Sequence, residues 1–388
     1  MKDEVSARRR RSLNALLAEV ARLAPVSRNN LQAATGLSRS AVADGISELL
    51  ALGRIREEPA IPNGHAAGRG RQAARLVLAR RSGYVIGIDF GHTHVRVALA
   101  DTDANLLAVE LAEVDVDGLA DTAMDTAGEL VDAMLIGAGL SKRDVMSAAA
   151  GIPGPLDAEN VAVTSPTILR SWVARPVADE LSSRLALPVL VRNDADMGAI
   201  GEMRFGTARG FDDFVYVKAS HGIGASVVIG GVPVRGASGA SGEIGHTRLP
   251  ESTNRCRCGN QGCLESVISV SEVRRDLAGT HFAVVEGGEP SFADIGRDPV
   301  GARILADAGR VIGRVLADGC NWLNPEAIVL GGELGASGAA FASGVRESVD
   351  RYAQASTAEA VQVLTAGLGE RAEVYGAIGV ALDESARL

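Results

Sequence analysis

Residues 243–246 read Glu-Ile-Gly-His, and residues 256–265 read Cys-Arg-Cys-Gly-Asn-Gln-Gly-Cys-Leu-Glu. His246, Cys256, Cys258 and Cys263 together offer one imidazole and three sulfurs from a single short stretch. Zinc takes a Cys3His set tetrahedrally with no ligand position left over, so the spacing predicts a structural ion, not a catalytic one. Gly259 and Gly262 lie between the last two cysteines, where a chain wrapping a metal needs permissive backbone. The competing reading is a cysteine-rich loop with free thiols or a disulfide, although Cys-x-Cys is cramped for bridging. Glu243 and Glu265 bracket the cluster and would be held in place by it.

The string E-x-G-H followed by C-x-C-G-x-x-G-C-x-E closely resembles the signature of the ROK family (repressors, open reading frames, kinases). The resemblance implies an α/β chain with a two-lobed actin/hexokinase-like ATPase fold of the ribonuclease H type. It also implies either a sugar kinase or a sugar-responsive transcription factor. Only the regulators carry a DNA-binding head.

The 388 residues exceed what one core organises and predict two or three domains. Apolar content of 46% with 46 glycines suits an α/β protein with tight turns. No apolar run reaches the roughly 18–20 residues of a membrane span, and the basic N-terminus lacks a following apolar segment. A cytoplasmic protein is expected, where cysteines serve metals more often than disulfides. Residues 1–80 hold 14 Lys/Arg and 7 Asp/Glu, a net of +7, and the remainder carries −16, together the −9 of the whole chain. A basic head on an acidic body reads as a nucleic-acid module joined to something that must not bind nucleic acid; a merely solvated basic terminus is the alternative.

Within that head, Leu13, Leu16, Leu17, Val20 and Leu23 recur at helical spacing and predict a first helix over 12–23. Pro25 stops it, and Ser27 caps a short second helix over 28–34 that ends at Thr35-Gly36. Ser38 caps a third helix running to Leu52, with Gly53 as its terminator. Helix, tight turn, helix is the helix-turn-helix pattern. Val42, Ile46 and Leu49 fall on its buried face, which leaves Arg39, Ser40, Ala43, Asp44 and Ser47 outward. Ser38, Arg39, Ser40 and Asp44, with Arg28 on the second helix, are the candidate base and phosphate contacts. A dimerisation cap of three helices is the alternative. Beyond Gly53, a strand at 55–58, a Pro/Gly-rich tip and a second strand ending at Leu78 predict a wing. Arg69 and Arg71 at its tip are placed to reach phosphates or a minor groove. The family's regulators usually carry Gly-Arg-Pro there; Gly70-Arg71-Gln72 keeps the arginine only.

In the body, residues 81–388, the pattern turns to strands from Gly83: an apolar strand, a turn at Asp89–Thr93 and a second strand. Asp89, Gly91 and Thr93 match the D-x-G-x-T phosphate loop that the resemblance implies, but His92 and His94 stand where a glycine and commonly a lysine are usual. A side chain at 92 would crowd backbone that should approach a phosphate. Gly151 lies in the loop matching G-x-P-G-P-x-D beside the sugar, and Thr167 replaces an asparagine that would bond sugar hydroxyls. An apolar strand ends in Asn193-Asp194; by the resemblance Asn193 bonds the sugar and Asp194 is the general base for phosphoryl transfer. Such a pair is otherwise a common helix cap. In the second phosphate loop Gly222 and Gly224 survive, whereas Ser220, His221, Ala225 and Ser226 intrude. Gly331 and Gly332 match the adenosine-side loop, residues 371–383 read as a small-residue helix, and 279–300 as a surface loop.

Both phosphate loops depart from the kinase pattern, so ATP binding is expected to have decayed. The sugar side is kept in Gly151, Asn193, Asp194, Glu243, His246 and Glu265. His246 would place one ring nitrogen on zinc and turn the other to the sugar. The sequence therefore predicts a regulator that binds double-stranded operator DNA as a homodimer or homotetramer and answers to a sugar or sugar derivative. An ATP-dependent sugar kinase with an added DNA-binding head is the second reading.

Overall fold

The computed structural model describes residues 2–51, 54–58, 75–78, 83–157, 162–164, 169–282 and 290–387. The chain divides into two compact units, Met1–Gly83 and Tyr84–Leu388.

In the first unit, α1 (Lys2–Leu23), α2 (Arg28–Thr35) and α3 (Arg39–Ala51) precede an antiparallel pair, β1 (Ile55–Glu58) and β2 (Arg75–Leu78). Leu16 and Val20 of α1, Leu31 of α2, and Val42, Ile46 and Leu49 of α3 close one core with Val26, Ile55 and Leu76. The second helix begins as its sequence dictates, with the Ser27 hydroxyl accepting from the Asn30 amide at 3.2 Å, and Gly36 closes it in the left-handed region. Ser38 caps α3 by accepting from the Ala41 amide at 3.3 Å. One boundary differs from expectation: α1 starts ten residues earlier than the apolar spacing predicts. The Arg-rich run ahead of Ser12 has no apolar periodicity, yet arginine is a good helix former, so a nucleated helix extends back through it. The expected wing tip with Arg69 and Arg71, and the expected Gly53 terminator, lie outside the described residues.

The second unit opens with the meander β3 (Tyr84–Phe90), β4 (His94–Asp101) and β5 (Leu106–Glu113). Then follow α4 (Ala120–Gly137), β6 (Val145–Ile152), α5 (Val177–Leu185), β7 (Val189–Asn193) and α6 (Asp194–Phe205). These strands form a five-stranded sheet in the order β5-β4-β3-β6-β7, antiparallel across the meander and parallel beyond it. A second meander, β8 (Phe214–Ala219), β9 (Ile223–Ile229) and β10 (Val232–Pro233), is followed by α7 (Glu265–Ile268), α8 (Val270–Ala278), α9 (Phe292–Ile295) and α10 (Pro299–Leu323). The chain ends with β11 (Ala327–Gly331), α11 (Gly332–Gly335), α12 (Ala339–Tyr352), α13 (Ala355–Ala360), β12 (Gln362–Thr365) and α14 (Ala372–Arg387). The second sheet, β10-β9-β8-β11-β12, repeats the topology of the first.

Each sheet has its own apolar core, one centred on Phe90 and Trp172, the other on Phe341 and Ile312. Two helices join the lobes. α6 leaves the first sheet and packs on β8 and β9, while α14 packs back on β3, β4 and β6. They meet at glycines: a Cβ on Gly201 would lie 2.1 Å from the Ala372 carbonyl, and one on Gly376 1.7 Å from the Met197 carbonyl. Any side chain there would force the two helices apart. The expected surface loop at 279–300 is corrected in part, because α9 lies inside it. Ser291 caps it, and Phe292 and Ile295 are buried at i,i+3 spacing, a helix too short for periodicity to reveal.

Candidate functional site

A backbone bridge from Arg248, just after the turn Glu243–His246, to Cys263 ties that segment to the loop 256–263, and a second, Arg255 with Gln261, closes the loop on itself. Gly259 and Gly262 both adopt positive φ, 92° and 81°, as the wrapping chain requires. The ligand atoms of His246, Cys256, Cys258 and Cys263 all lie within 4.8 Å of one another. Cys258 Sγ and Cys263 Sγ are 3.7 Å apart, and Cys256 Sγ lies 3.8 Å from His246 Nδ1. A metal with bonds of about 2.0–2.3 Å to nitrogen and sulfur requires tetrahedral edges of roughly 3.5–3.8 Å, so this donor set fits an ion such as zinc. His246 turns Nδ1 to the sulfurs, and its Nε2 lies 3.7 Å from Glu243 Oε2.

Through His246 this cluster borders a cleft between the lobes. Asn193, Asp194, Glu243, His246 and Glu265 all line it, as do Gly222 and Gly224. Gly151 does not; it closes under α6, where a Cβ would lie 3.2 Å from Met197 Cγ. Asn193 is the N-cap of α6, its Oδ1 accepting from the Ala195 and Asp196 amides and its Nδ2 donating to the Gly154 carbonyl. Only its second Nδ2 hydrogen is left for a ligand.

Two residues that sequence reasoning passed over shape the cleft. Arg257, between two cysteines, donates to both oxygens of Glu265 at 3.2 and 3.3 Å. Burial pushes the Glu265 carboxyl up, but Arg257, aided by Cys256 and His246, holds the group below its usual value. Lys218 is a lysine near the end of an apolar strand, which was the available signal. Its ammonium lies 2.8 Å from Asp194 Oδ2 and 3.5 Å from Glu373 Oε1. Burial opposes its charge, but Asp194, Glu373 and Asp89 more than compensate, and its pKa is raised.

The phosphate loops are filled by side chains. Asp89 is buried with Oδ2 3.3 Å from His94 Nε2 and 3.4 Å from Arg96 Nη1, and its Oδ1 has no hydrogen-bond partner. Burial drives the Asp89 carboxyl upward, yet His94, Lys218 and Arg96 together hold it below its ordinary value. His92 lines the cleft, and His94 packs on the same loop: a Cβ on Gly91 would meet the His94 ring at 2.2 Å. Asp117 accepts from His92 Nδ1 at 2.8 Å. Thr93 is exposed. Gly331 ends β11 against β8 and Gly332 begins α11, where the Glu333 amide donates to Ser220 Oγ at 3.3 Å.

Burial, offset in part by Lys218 and reinforced by Asp89 and Asp194, raises the Glu373 carboxyl to about 7. Below the ordinary carboxylate value it is protonated whether folded or unfolded. As pH rises from there to 7 the folded state resists ionisation, so stability is lost across that window and the cost is complete above it. Glu373→Gln is expected to gain about 1–3 kcal/mol at pH 8 and almost nothing at pH 4.5, read from urea midpoints. An equal change at both pH values would rule the titration out.

In the first unit Arg39, Ser40, Ala43, Asp44 and Ser47 are all exposed on α3. Arg28 is exposed but paired with Glu57 at 2.6 Å. Among the described residues no helix is long and apolar enough to cross a membrane.

The family model described as ROK family matches residues 85–384. The xylose repressor of Bacillus subtilis (strain 168) is 26% identical over 377 residues, covering 95% of this chain and 94% of the relative. The crystal structure of a ROK family transcriptional regulator, a homolog of the E. coli MLC protein, superposes with a TM-score of 0.78 at 23% identity, over 97% of this chain and 96% of that one, and shares the fold. A ROK family glucokinase from Streptomyces griseus, solved with glucose and AMPPNP, superposes with a TM-score of 0.67 at 28% identity, over 78% of this chain and 100% of that one.

Proposed function

The chain belongs to the ROK family, and on that premise we propose that it is a DNA-binding repressor of carbohydrate-metabolism genes, released or engaged by a sugar. The observation that carries this reading is the match to a repressor over 95% of the chain, more than the body alone could supply. In this reading Ser38, Arg39, Ser40 and Asp44 at the start of α3 enter the major groove, Arg28 joins them by leaving Glu57, and Arg69 and Arg71 hold phosphates. Paired heads on two half-sites require a homodimer or homotetramer, working in the cytoplasm.

The effector, a sugar or sugar derivative, lies in the cleft against Asn193, Asp194, Glu243, His246 and Glu265, with Gly151 shaping the floor beneath. Zinc on His246, Cys256, Cys258 and Cys263 holds that wall, so metal and effector are coupled through the two nitrogens of one ring. Effector closure that alters operator affinity a thousandfold needs about 4 kcal/mol of difference between open and closed forms. Phosphoryl transfer is opposed by the same cleft: Lys218 and the Ala195 amide already engage the two oxygens of Asp194, and His94 lies over the first phosphate loop. Asp89, Gly91, Thr93, Gly222, Gly224, Gly331 and Gly332 then remain as the frame of a nucleotide site that no longer takes ATP.

The test is fluorescence anisotropy of the full chain on DNA from upstream of its own gene, titrated with a panel of sugars. Tight, salt-sensitive binding that one sugar shifts is expected. Ser40→Glu, which sets a carboxylate against phosphates, is expected to weaken DNA binding by about 10–100-fold while leaving thermal stabilisation by the sugar intact. Sugar-dependent ADP release that Asp194→Asn abolishes would replace this reading with the sugar kinase, which the placement of Asp194 at the end of β7 favours as the second reading.

A further inference from the structure

His92 stands in the β3–β4 turn and His221 in the β8–β9 turn, one on each lobe, with ring centroids 5.7 Å apart. Each turns Nδ1 to a carboxylate: His92 lies 2.8 and 3.0 Å from the two oxygens of Asp117, and His221 lies 3.4 Å from Glu333 Oε1. An imidazole whose Nδ1–H is taken by a carboxylate is held in the tautomer that leaves Nε2 as a bare lone pair. It is also made a stronger donor, the condition in which histidines bind metals. Two imidazoles on one metal, with metal–nitrogen bonds of about 2.0–2.1 Å, set their ring centroids about 5–6 Å apart. The observed separation falls in that range.

The surrounding charges decide between a cation and an anion. Arg257 is paired with Glu265, Arg96 with Asp89, and Lys218 with Asp194. Asp117 and Glu333 remain facing the two rings; Glu333 chiefly, with Asp117, holds the His221 pKa up against Arg257, so a metal there displaces a proton, while His221 first, then Arg274 and His94, hold Glu333 low. A phosphate would enter against this acidic lining, whereas a cation is drawn in. Imidazole donors select a borderline transition metal over magnesium or calcium.

We propose that His92 and His221 form a second transition-metal site, a two-imidazole clamp for Zn2+ or Ni2+ completed by water or by oxygens of the effector. The ion ties one lobe to the other at the place where phosphates would lie in a kinase of this fold. The site is separate from the Cys3His cluster and does not depend on the DNA-binding reading.

The experiment is metal stoichiometry and titration on the untagged full chain, with Zn2+ and with Co2+. Wild type is expected to bind two equivalents, one of them with the thiolate-to-cobalt absorption of the cysteine cluster. His92→Asn and His221→Asn are each expected to lose the second equivalent and keep that absorption, which also reports that the chain is folded. Asp117→Asn, which leaves both rings in place, is expected to weaken the second equivalent by about 10–100-fold. A single equivalent in wild type, or two in either histidine variant, overturns the proposal. So does stabilisation by inorganic phosphate that the histidine variants lose, which would make the pair an anion site.

Discussion

Cys258→Ser should strip the chain of its metal and weaken effector binding by at least about tenfold, the larger loss being the metal itself. Structural zinc contributes about 10–16 kcal/mol of apparent binding free energy in small metal-folded units, and a serine hydroxyl cannot replace a thiolate on a borderline-soft ion. The local consequence follows from geometry. Cys258 and Cys263 face each other at 3.7 Å, so removing the ion leaves the 256–263 loop held mainly by short backbone bridges and a few hydrogen bonds. His246 then loses the anchor that orients its Nε2, and Glu265, buried beside Cys256 at 3.2 Å, loses a fixed neighbour. Metal content by atomic emission and effector affinity by calorimetry should fall together. A metal-free variant that binds sugar as the wild type does would separate the two sites and end the coupling.

Lys218→Met should destabilise the second unit by about 3–5 kcal/mol at pH 8, the cost of leaving buried carboxylates without their counter-ion. Methionine fills the space of the side chain, so the effect isolates the charge. Asp194 comes from α6, Glu373 from α14, and Lys218 from β8, so the ammonium joins the linking helices to the second lobe. The loss should shrink as pH falls from 7 toward 5, because Glu373, raised to about 7 even beside the lysine, takes up a proton and removes one of the opposing charges. Guanidinium midpoints across that range give the measurement. A variant as stable as wild type at pH 8 would mean that the ammonium does not hold these groups together.

The head was legible because local rules decide it. Ser27 and Ser38 cap helices, Gly36 turns the chain, and Leu16, Val20, Val42, Ile46 and Leu49 repeat at helical spacing into one core. The start of α1 was not legible, since arginines ahead of Ser12 carry no burial signal. Helix α9 was hidden for a related reason: one turn is shorter than any period that can be counted.

For the cleft, chemistry written in contiguous residues could be read directly. The Cys3His set lies within one stretch, and its ligand atoms converge as their spacing implies. The cleft's charge balance could not be read, because its partners are distant in the chain. Lys218 meets Asp194 and Glu373, Arg96 meets Asp89 and the Glu370 carbonyl, and His92 meets His221 across the two lobes. The sequence by itself determined the Cys3His cluster that could hold a metal, the helix-turn-helix pattern and the strands that carry the site, each a short-range consequence of residue type and period. Only the tertiary structure decided which of those residues face one another. Coulomb and hydrogen-bond energies depend on distances of a few ångströms in space, which separation along the chain does not encode.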